Sequence, residues 1–138
     1  MFFCTGYSLL LKAIIEHDWN AALLQTRHKS QEATRWAKVG CADGTQCTYV
    51  LPLHQACSLS APVKIIEILL SVYPKAAYKR ESWQRRMPLH IACMENASPE
   101  VICALVCSCE KAAKARDSLG RIPLHYAMFS NATLEVID

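Results

Sequence analysis

The sequence contains little glycine, little proline and no long apolar run. Four Gly and six Pro in 138 residues exclude collagen-like and linker-like chains. No uninterrupted apolar stretch approaches the roughly 20 residues that cross a bilayer, so no membrane span is expected. The excess of one sign of charge over the other is also small. The formal net charge of +3 demands neither a nucleic acid nor an anionic membrane as a partner.

Apolar residues are abundant, at 52% of the chain against 20% charged residues. A substantial core is therefore expected, and intrinsic disorder is excluded. The eight cysteines are an even number, which would suit four disulfides in a secreted protein. Because Cys57, Cys93, Cys103 and Cys107 lie within apolar runs, we favour reduced thiols and an intracellular protein, in the cytoplasm or the nucleus.

A proline-leucine-histidine box occurs three times along the chain. The boxes cover residues 51–57, 87–93 and 122–128, and their prolines are 36 and then 35 residues apart. Proline is tolerated at the first position of a helix, where its missing N–H would be unpaired anyway. Each box therefore predicts a short helix. A second helix is predicted from Pro62 and Pro99, where apolar residues recur at three- and four-residue steps.

The boxes resemble the Thr-Pro-Leu-His-x-Ala-Ala opening of the ankyrin repeat, and residues 117–121 resemble the Asp-x-x-Gly finger that precedes it. The resemblance covers roughly residues 50–138. It implies an all-α solenoid of stacked helix-turn-helix units with extended finger loops. It also implies a purely structural role for twelve box residues: Pro52, Leu53, His54, Ala56, Pro88, Leu89, His90, Ala92, Pro123, Leu124, His125 and Ala127.

The repeat is longer than the usual period of about 33 residues, and two further features depart from the ankyrin pattern. The threonine before each proline is replaced by Leu51, Met87 or Ile122, so the hydroxyl that normally bonds the box histidine is missing. The finger segment 81–86 lacks the finger glycine and is one residue longer than segment 117–121. Both departures concern the fingers and not the stack of helices.

We interpret residues 1–138 as one array of four units. A degenerate first repeat with a long loop occupies 1–49, two full repeats occupy 50–86 and 87–121, and an incomplete last repeat occupies 122–138. The second helix of the last unit would start at Thr133 and stop within six residues. Since arrays need capped ends, we expect a fragment of a longer protein or an unusually short last unit.

The cysteines offer a second hypothesis, a metal- or redox-sensing module that uses Cys93, Cys103, Cys107 and Cys109. The alignment of residues 62–70 with 99–107 argues against it. That alignment places Cys103 and Cys107 at the core positions of Ile66 and Leu70, and leaves Cys109 as the more reactive thiol.

Motifs for catalysis are missing. No phosphate-binding loop, HExxH or GxSxG occurs, so we expect no enzyme, no cofactor, no metal and no small-molecule substrate. The glycosylation sequons at Asn96 and Asn131 both fall in the turn between paired helices, where Asn is an ordinary turn residue.

The finger segments are the candidate binding surface. Residues 75–86 carry five Lys or Arg against one Glu, with a tryptophan among them, and residues 111–121 are also rich in Lys and Arg. The ankyrin resemblance implies that partners bind across the finger tips and the concave face of the first helices. We therefore expect ten binding residues: Arg80, Trp83, Arg85, Arg86, Asp117 and Arg121 in the fingers, and Gln55, Ser58, Ile91 and Glu95 as exposed first-helix positions.

The predicted function is non-catalytic recognition of another protein, with an acidic partner segment favoured by the basic fingers. Association with such a segment should weaken as salt rises. A third hypothesis is weak binding of nucleic acid or an anionic surface through the same fingers. It is less favoured for nucleic acid because few aromatic residues accompany the charge.

Overall fold

The computed structural model describes residues 7–40 and 47–129. Within them, no helix is long and apolar enough to cross a membrane. The helices are α1 (Leu9–Ile15), α2 (Trp19–His28), α3 (Pro52–Ser58), α4 (Val63–Val72), α5 (Pro88–Met94), α6 (Pro99–Ser108) and α7 (Pro123–Phe129). Short 3₁₀ helices follow the long helices at Ser30–Thr34, Pro74–Tyr78 and Glu110–Lys114, and two strands occupy β1 (Ala37–Val39) and β2 (Thr48–Val50).

Helices of seven and ten residues alternate and stack in two layers. The short inner helices pack in chain order, with α3 between α1 and α5, and α5 against α7. The longer outer helices pack likewise, with α4 between α2 and α6. The predicted all-α solenoid of helix pairs is confirmed. The box prolines begin α3, α5 and α7 as expected, whereas Pro62 is the cap residue just before α4 and not its first residue.

The inner helices α1, α3 and α5 end in the same tight turn. His17, Ser60 and Asn96 take left-handed backbone conformations, with φ of 59°, 57° and 56°. The N–H of the next residue then donates to the carbonyl of an inner-helix alanine at 2.9–3.0 Å, which satisfies a carbonyl at the helix end. The sequon residue Asn96 is therefore a turn residue, as expected; Asn131 and the helix start at Thr133 lie outside the described residues.

The core lies between the two helical layers. Inner helices contribute alanines and leucines such as Ala56 and Leu89, and outer helices contribute branched residues such as Ile66 and Leu105. Small inner residues let neighbouring helices approach closely, so a stack of short helices can bury a continuous core.

The loop before the first full repeat contains a hairpin that the sequence analysis missed. β1 and β2 pair antiparallel, with Ala37 opposite Val50 and Val39 opposite Thr48. Val39 and Val50 turn inward against Leu11, which buries this side of the hairpin. Three-residue strands are too short to show an alternating pattern in the sequence.

We call the paired strands with one adjacent residue each, residues 37–40 and 47–50, the first finger, residues 79–87 the second finger and residues 115–122 the third finger. Hydrogen bonds join the first and second fingers, two of them between Tyr49 and Ser82. The Ser82 N–H donates to the Tyr49 carbonyl at 3.2 Å, and the Tyr49 N–H donates to the Ser82 hydroxyl at 2.7 Å. The fingers therefore form one continuous edge of the array.

The outer helices correct one alignment made from the sequence. Buried residues are Ile65, Ile66, Leu69 and Leu70 in α4 and Val101, Ile102 and Leu105 in α6, which sets an offset of 36 residues and not 37. A one-residue slip turns a helix by about 100°. Cys103 and Cys107 are therefore exposed, where they were expected in the core. Cys109, expected to be the more exposed thiol, is partly buried and packs against the core.

Candidate functional site

The second finger closes around the buried carboxylate of Glu81, which is 1% exposed. One oxygen accepts from the N–H groups of Gln84 and Arg86, both at 2.9 Å. The other accepts from the Trp83 N–H at 3.2 Å and the Thr48 hydroxyl at 2.9 Å. Burial alone would raise the pKa of Glu81, but these donors hold it below its ordinary value. Sequence analysis missed this residue, although it lies 36 positions before Asp117.

The third finger is built in the same way around Asp117. Its Oδ1 accepts from the N–H groups of Leu119 and Arg121 at 2.9 and 3.0 Å, and its Oδ2 accepts from the Tyr126 hydroxyl. Asp117 was expected to bind a partner, but it is buried because its carboxylate is enclosed by the finger that it holds together. Burial opposes ionisation, yet these hydrogen bonds lower the pKa of Asp117.

The box histidines connect inner helices to the fingers. Nδ1 of His54 accepts from the Leu51 N–H at 3.0 Å, and its Nε2 donates to the Lys79 carbonyl at 2.9 Å. His90 makes the equivalent bonds to Met87 and Ala115, at 3.0 and 2.9 Å. A backbone N–H thus stands where the missing threonine hydroxyl would be.

Burial of the two histidines has an electrostatic consequence. Removal of His54 from water lowers its pKa to about 4, and burial lowers the pKa of His90 as well. Both rings are therefore neutral near pH 7. His125, in the last box, accepts from the Ile122 N–H at 3.0 Å but stays exposed, as does Leu124 beside it.

A cleft of about 270 Å³ opens where the first and second fingers face the inner helices α3 and α5. Five of the ten expected binding residues line it: Gln55, Ser58, Trp83, Arg86 and Ile91. The other lining residues are Val39, Gly40, Cys47, Thr48, Val50, His54, Glu81 and Met94. Arg80, Arg85, Glu95, Asp117 and Arg121 are not among the residues that line it.

Three of the five lining residues are more buried than expected. Gln55, Ile91 and Arg86 are 5%, 3% and 9% exposed, although the helix positions were expected to face solvent. The first and second fingers supply the lining residues of the cleft that do not come from α3 and α5. Ser58 is half-buried and Trp83 is 48% exposed, so the tryptophan stands at the rim.

Arg86 is the cation among the residues that line the cleft, and Glu81 is the anion beside it. Its guanidinium lies 5.5 Å from the Trp83 ring centroid and donates from Nη1 to the Met94 sulfur, a weak acceptor, at 3.1 Å. Nε lies 3.6 Å from Glu81 and has no hydrogen-bond partner among the described residues. Because the carboxylate of Glu81 already accepts four bonds, Nε of Arg86 stays without a hydrogen bond although it lies beside that carboxylate.

The other basic finger residues are used differently. Nη1 of Arg80 donates to the carbonyls of Arg85 and Arg116 at 2.8 and 2.7 Å, so it ties the second finger to the third. Arg121 lies over the rings of Tyr126 and Phe129, with centroid distances of 5.7 and 5.4 Å. Of the four arginines predicted to bind a partner, which are Arg80, Arg85, Arg86 and Arg121, Arg85 is the exposed one.

The cysteines do not form the four-thiol site of the second hypothesis. Burial raises the pKa of Cys57 and raises that of Cys93 to about 11, so these thiols stay protonated. Within residues 7–40 and 47–129, no three His, Cys, Asp or Glu side chains are placed to hold a metal ion. The expectation that all thiols are reduced is wrong for Cys47, which is disulfide-bonded.

Comparisons with known proteins agree with this architecture. The family model for ankyrin repeats (3 copies) matches residues 53–138, and the chain therefore belongs to the ankyrin repeat family. Its fold is similar to the crystal structure of the ankyrin repeat domain of Bcl-3, a member of the IkappaB protein family, with a TM-score of 0.65 and 19% identity. The match covers 95% of this chain and 54% of that one. No curated protein sequence matches the chain at a significant level.

Proposed function

We propose that this chain is a non-catalytic protein-interaction module that binds an acidic segment of a partner protein in the cleft between the first and second fingers. Ankyrin repeats are generally protein–protein interaction modules, and this supports the general class. The observation that carries the finer proposal is the guanidinium of Arg86, which lines the cleft beside the Trp83 ring.

The chemistry of the cleft suits a carboxylate. A planar guanidinium can donate two parallel hydrogen bonds to a carboxylate, and such charge-assisted bonds are about twice as strong as neutral ones. A volume of about 270 Å³ is below the range of drug-sized ligand sites, and it suits one or two side chains. The partner segment would therefore lie across the fingers and insert an Asp or Glu side chain.

Trp83 supplies apolar contact at the entrance. Tryptophan and arginine are among the residues that most often dominate the binding energy of interfaces. Here Trp83 and Arg86 both line the cleft. Gln55 and Ser58 offer amide and hydroxyl groups on the helical wall, which can bond the partner backbone.

The position of Arg86 argues for a protein over a nucleic acid. Its side chain is 11% exposed within a small cleft, too deep for a phosphodiester backbone that follows the surface. We also propose that the protein is not an enzyme and that it is intracellular, in the cytoplasm or the nucleus. Supporting the location, five of the six described cysteines are reduced thiols.

The proposal is tested by selecting peptides from a random phage-displayed library on the full chain. Selected sequences should be enriched in Asp or Glu and should bind the Arg86→Gln variant at least ten-fold more weakly. Lys111→Gln, which removes the same charge from an exposed site outside the cleft, is the control and should bind as the parent does. Selection of basic or purely apolar peptides, or equal binding to Arg86→Gln, would contradict the proposal.

A further inference from the structure

Two exposed cysteines stand one turn apart on the outer helix α6. The sulfurs of Cys103 and Cys107 are 4.0 Å from each other, and both side chains face solvent. At the same places on α4 stand Glu67 and Ser71, so the array does not need cysteine there. The cleft lining described above includes no residue of α6, so this pair is independent of the proposed binding site.

Helical geometry disfavours a direct disulfide between the two thiols. Residues four apart on a helix have Cβ atoms about 5–6 Å apart, whereas a disulfide needs about 3.5–4.5 Å. A direct bond would therefore require α6 to distort. A single atom between the sulfurs avoids this, because two metal–sulfur bonds of about 2.3 Å can span sulfurs up to about 4.6 Å apart.

We propose that Cys103 and Cys107 form a two-thiol site that binds one Cu(I) ion. Thiolates are soft ligands and select soft ions such as Cu(I). Zn²⁺ takes four ligands in structural sites, and no third His, Cys, Asp or Glu is placed to join this pair within the described part of the chain. Cu(I) is stable with two thiolates in line, so the pair alone completes its coordination.

The binding step changes no oxidation state. Each S–H bond breaks as a sulfur–copper bond forms, and the two protons pass to solvent. Copper enters as Cu(I) and remains Cu(I), so neither an oxidant nor a reductant is consumed.

The experiment titrates the full chain with Cu(I), added without oxygen as its acetonitrile complex, against the chromogenic chelator bicinchoninate. The parent should hold one Cu(I) per chain, and Cys103→Ser and Cys107→Ser should each bind it at least ten-fold more weakly. Cys109→Ser removes the neighbouring, partly buried thiol and should match the parent. The proposal is overturned if the parent fails to compete with the chelator. It is also overturned if the Cys103→Ser or the Cys107→Ser variant binds Cu(I) as tightly as the parent.

A second measurement locates the bound ion without a competing chelator. Alkylation of the native chain by iodoacetamide, followed residue by residue with mass spectrometry, should slow several-fold at Cys103 and Cys107 once one equivalent of Cu(I) is bound. The rate at Cys109 should not change. Protection at other cysteines, with Cys103 and Cys107 still reactive, would place the ion elsewhere and refute the site.

Discussion

The second finger is one residue longer than the third, yet both close in the same way. In each, the N–H of the acidic residue donates to the carbonyl of the closing arginine, Glu81 to Arg86 at 2.9 Å and Asp117 to Arg121 at 3.0 Å. The longer loop carries the longer acid, whose carboxylate reaches more N–H groups. The comparison teaches that the acid organises the finger, while the arginine after it is available for a separate role.

The two closing arginines differ in what surrounds them. Arg121 lies over the rings of Tyr126 and Phe129 on the following helix, α7. Arg86 lines the cleft and keeps an N–H without a partner. The two fingers therefore share a scaffold, and only the second finger presents a cation to the cleft.

The largest expected effect comes from removing the acids. Glu81→Ala should lower the free energy of unfolding by about 4 kcal/mol, because Arg86 would then remain buried without its counter-charge. Asp117→Ala should cost about 2 kcal/mol, since it removes hydrogen bonds in the less buried finger. Urea denaturation of both variants measures the difference. Equal losses of stability, or a smaller loss for Glu81→Ala, would contradict the stated difference between the two fingers.

Acid should weaken the contact between inner helices and fingers. The pKa of His54 is about 4 in the folded chain and near 6.5 when unfolded, so the unfolded chain takes up the proton first as pH falls. Stability should therefore drop by roughly 3 kcal/mol between pH 6.5 and pH 4, with a further loss from His90. Denaturation curves across this range test it. His54→Gln should flatten most of the dependence, whereas His17→Gln, at an exposed site, should leave it intact.

The smallest effect concerns the turn at each finger tip. Arg85 has φ of 58° in the second finger, where the third finger has Gly120 at 75°. Arg85→Gly should raise the free energy of unfolding by about 1 kcal/mol, because a left-handed backbone costs about that much for a residue with a Cβ. Gly120→Ala should lower it by about 1 kcal/mol. A Cβ at Gly120 meets no atom within 4 Å, so this cost is conformational alone. Thermal unfolding should show opposite signs for the two variants.

The sequence was sufficient to predict the repeated helices, but it was insufficient to predict which residues of the repeat are exposed. Box prolines and the three- and four-residue apolar steps are local patterns, and they correctly predicted α3, α5 and α7 as short helices. Gln55 and Ile91 are buried where inner helices meet the fingers of different repeats, and no local pattern could reveal that. The exposure of Cys103 depended on a one-residue choice of alignment between helices whose apolar residues fit either offset.

The two buried acids could be predicted only in part. Asp117 was recognised as a finger residue because a glycine follows it at the family spacing, but its carboxylate was expected to face a partner. Glu81 has no such glycine, and only the 36-residue offset between repeats would have marked it as equivalent. Finger geometry is set by backbone N–H groups that converge on one carboxylate, and composition does not record that convergence.

The three tryptophans allow binding of an acidic peptide in the cleft to be measured directly. Trp83 lines the cleft, Trp36 lies 5.7 Å from the His54 ring, and Trp19 stacks on His17 at 5.2 Å on the first helix pair. An acidic peptide from the library selection would be titrated into ¹⁵N-labelled chain while the three indole N–H resonances are followed by NMR. The account predicts a saturable shift of the Trp83 resonance with that of Trp19 unchanged. A shift at Trp19 with Trp83 unmoved would contradict it.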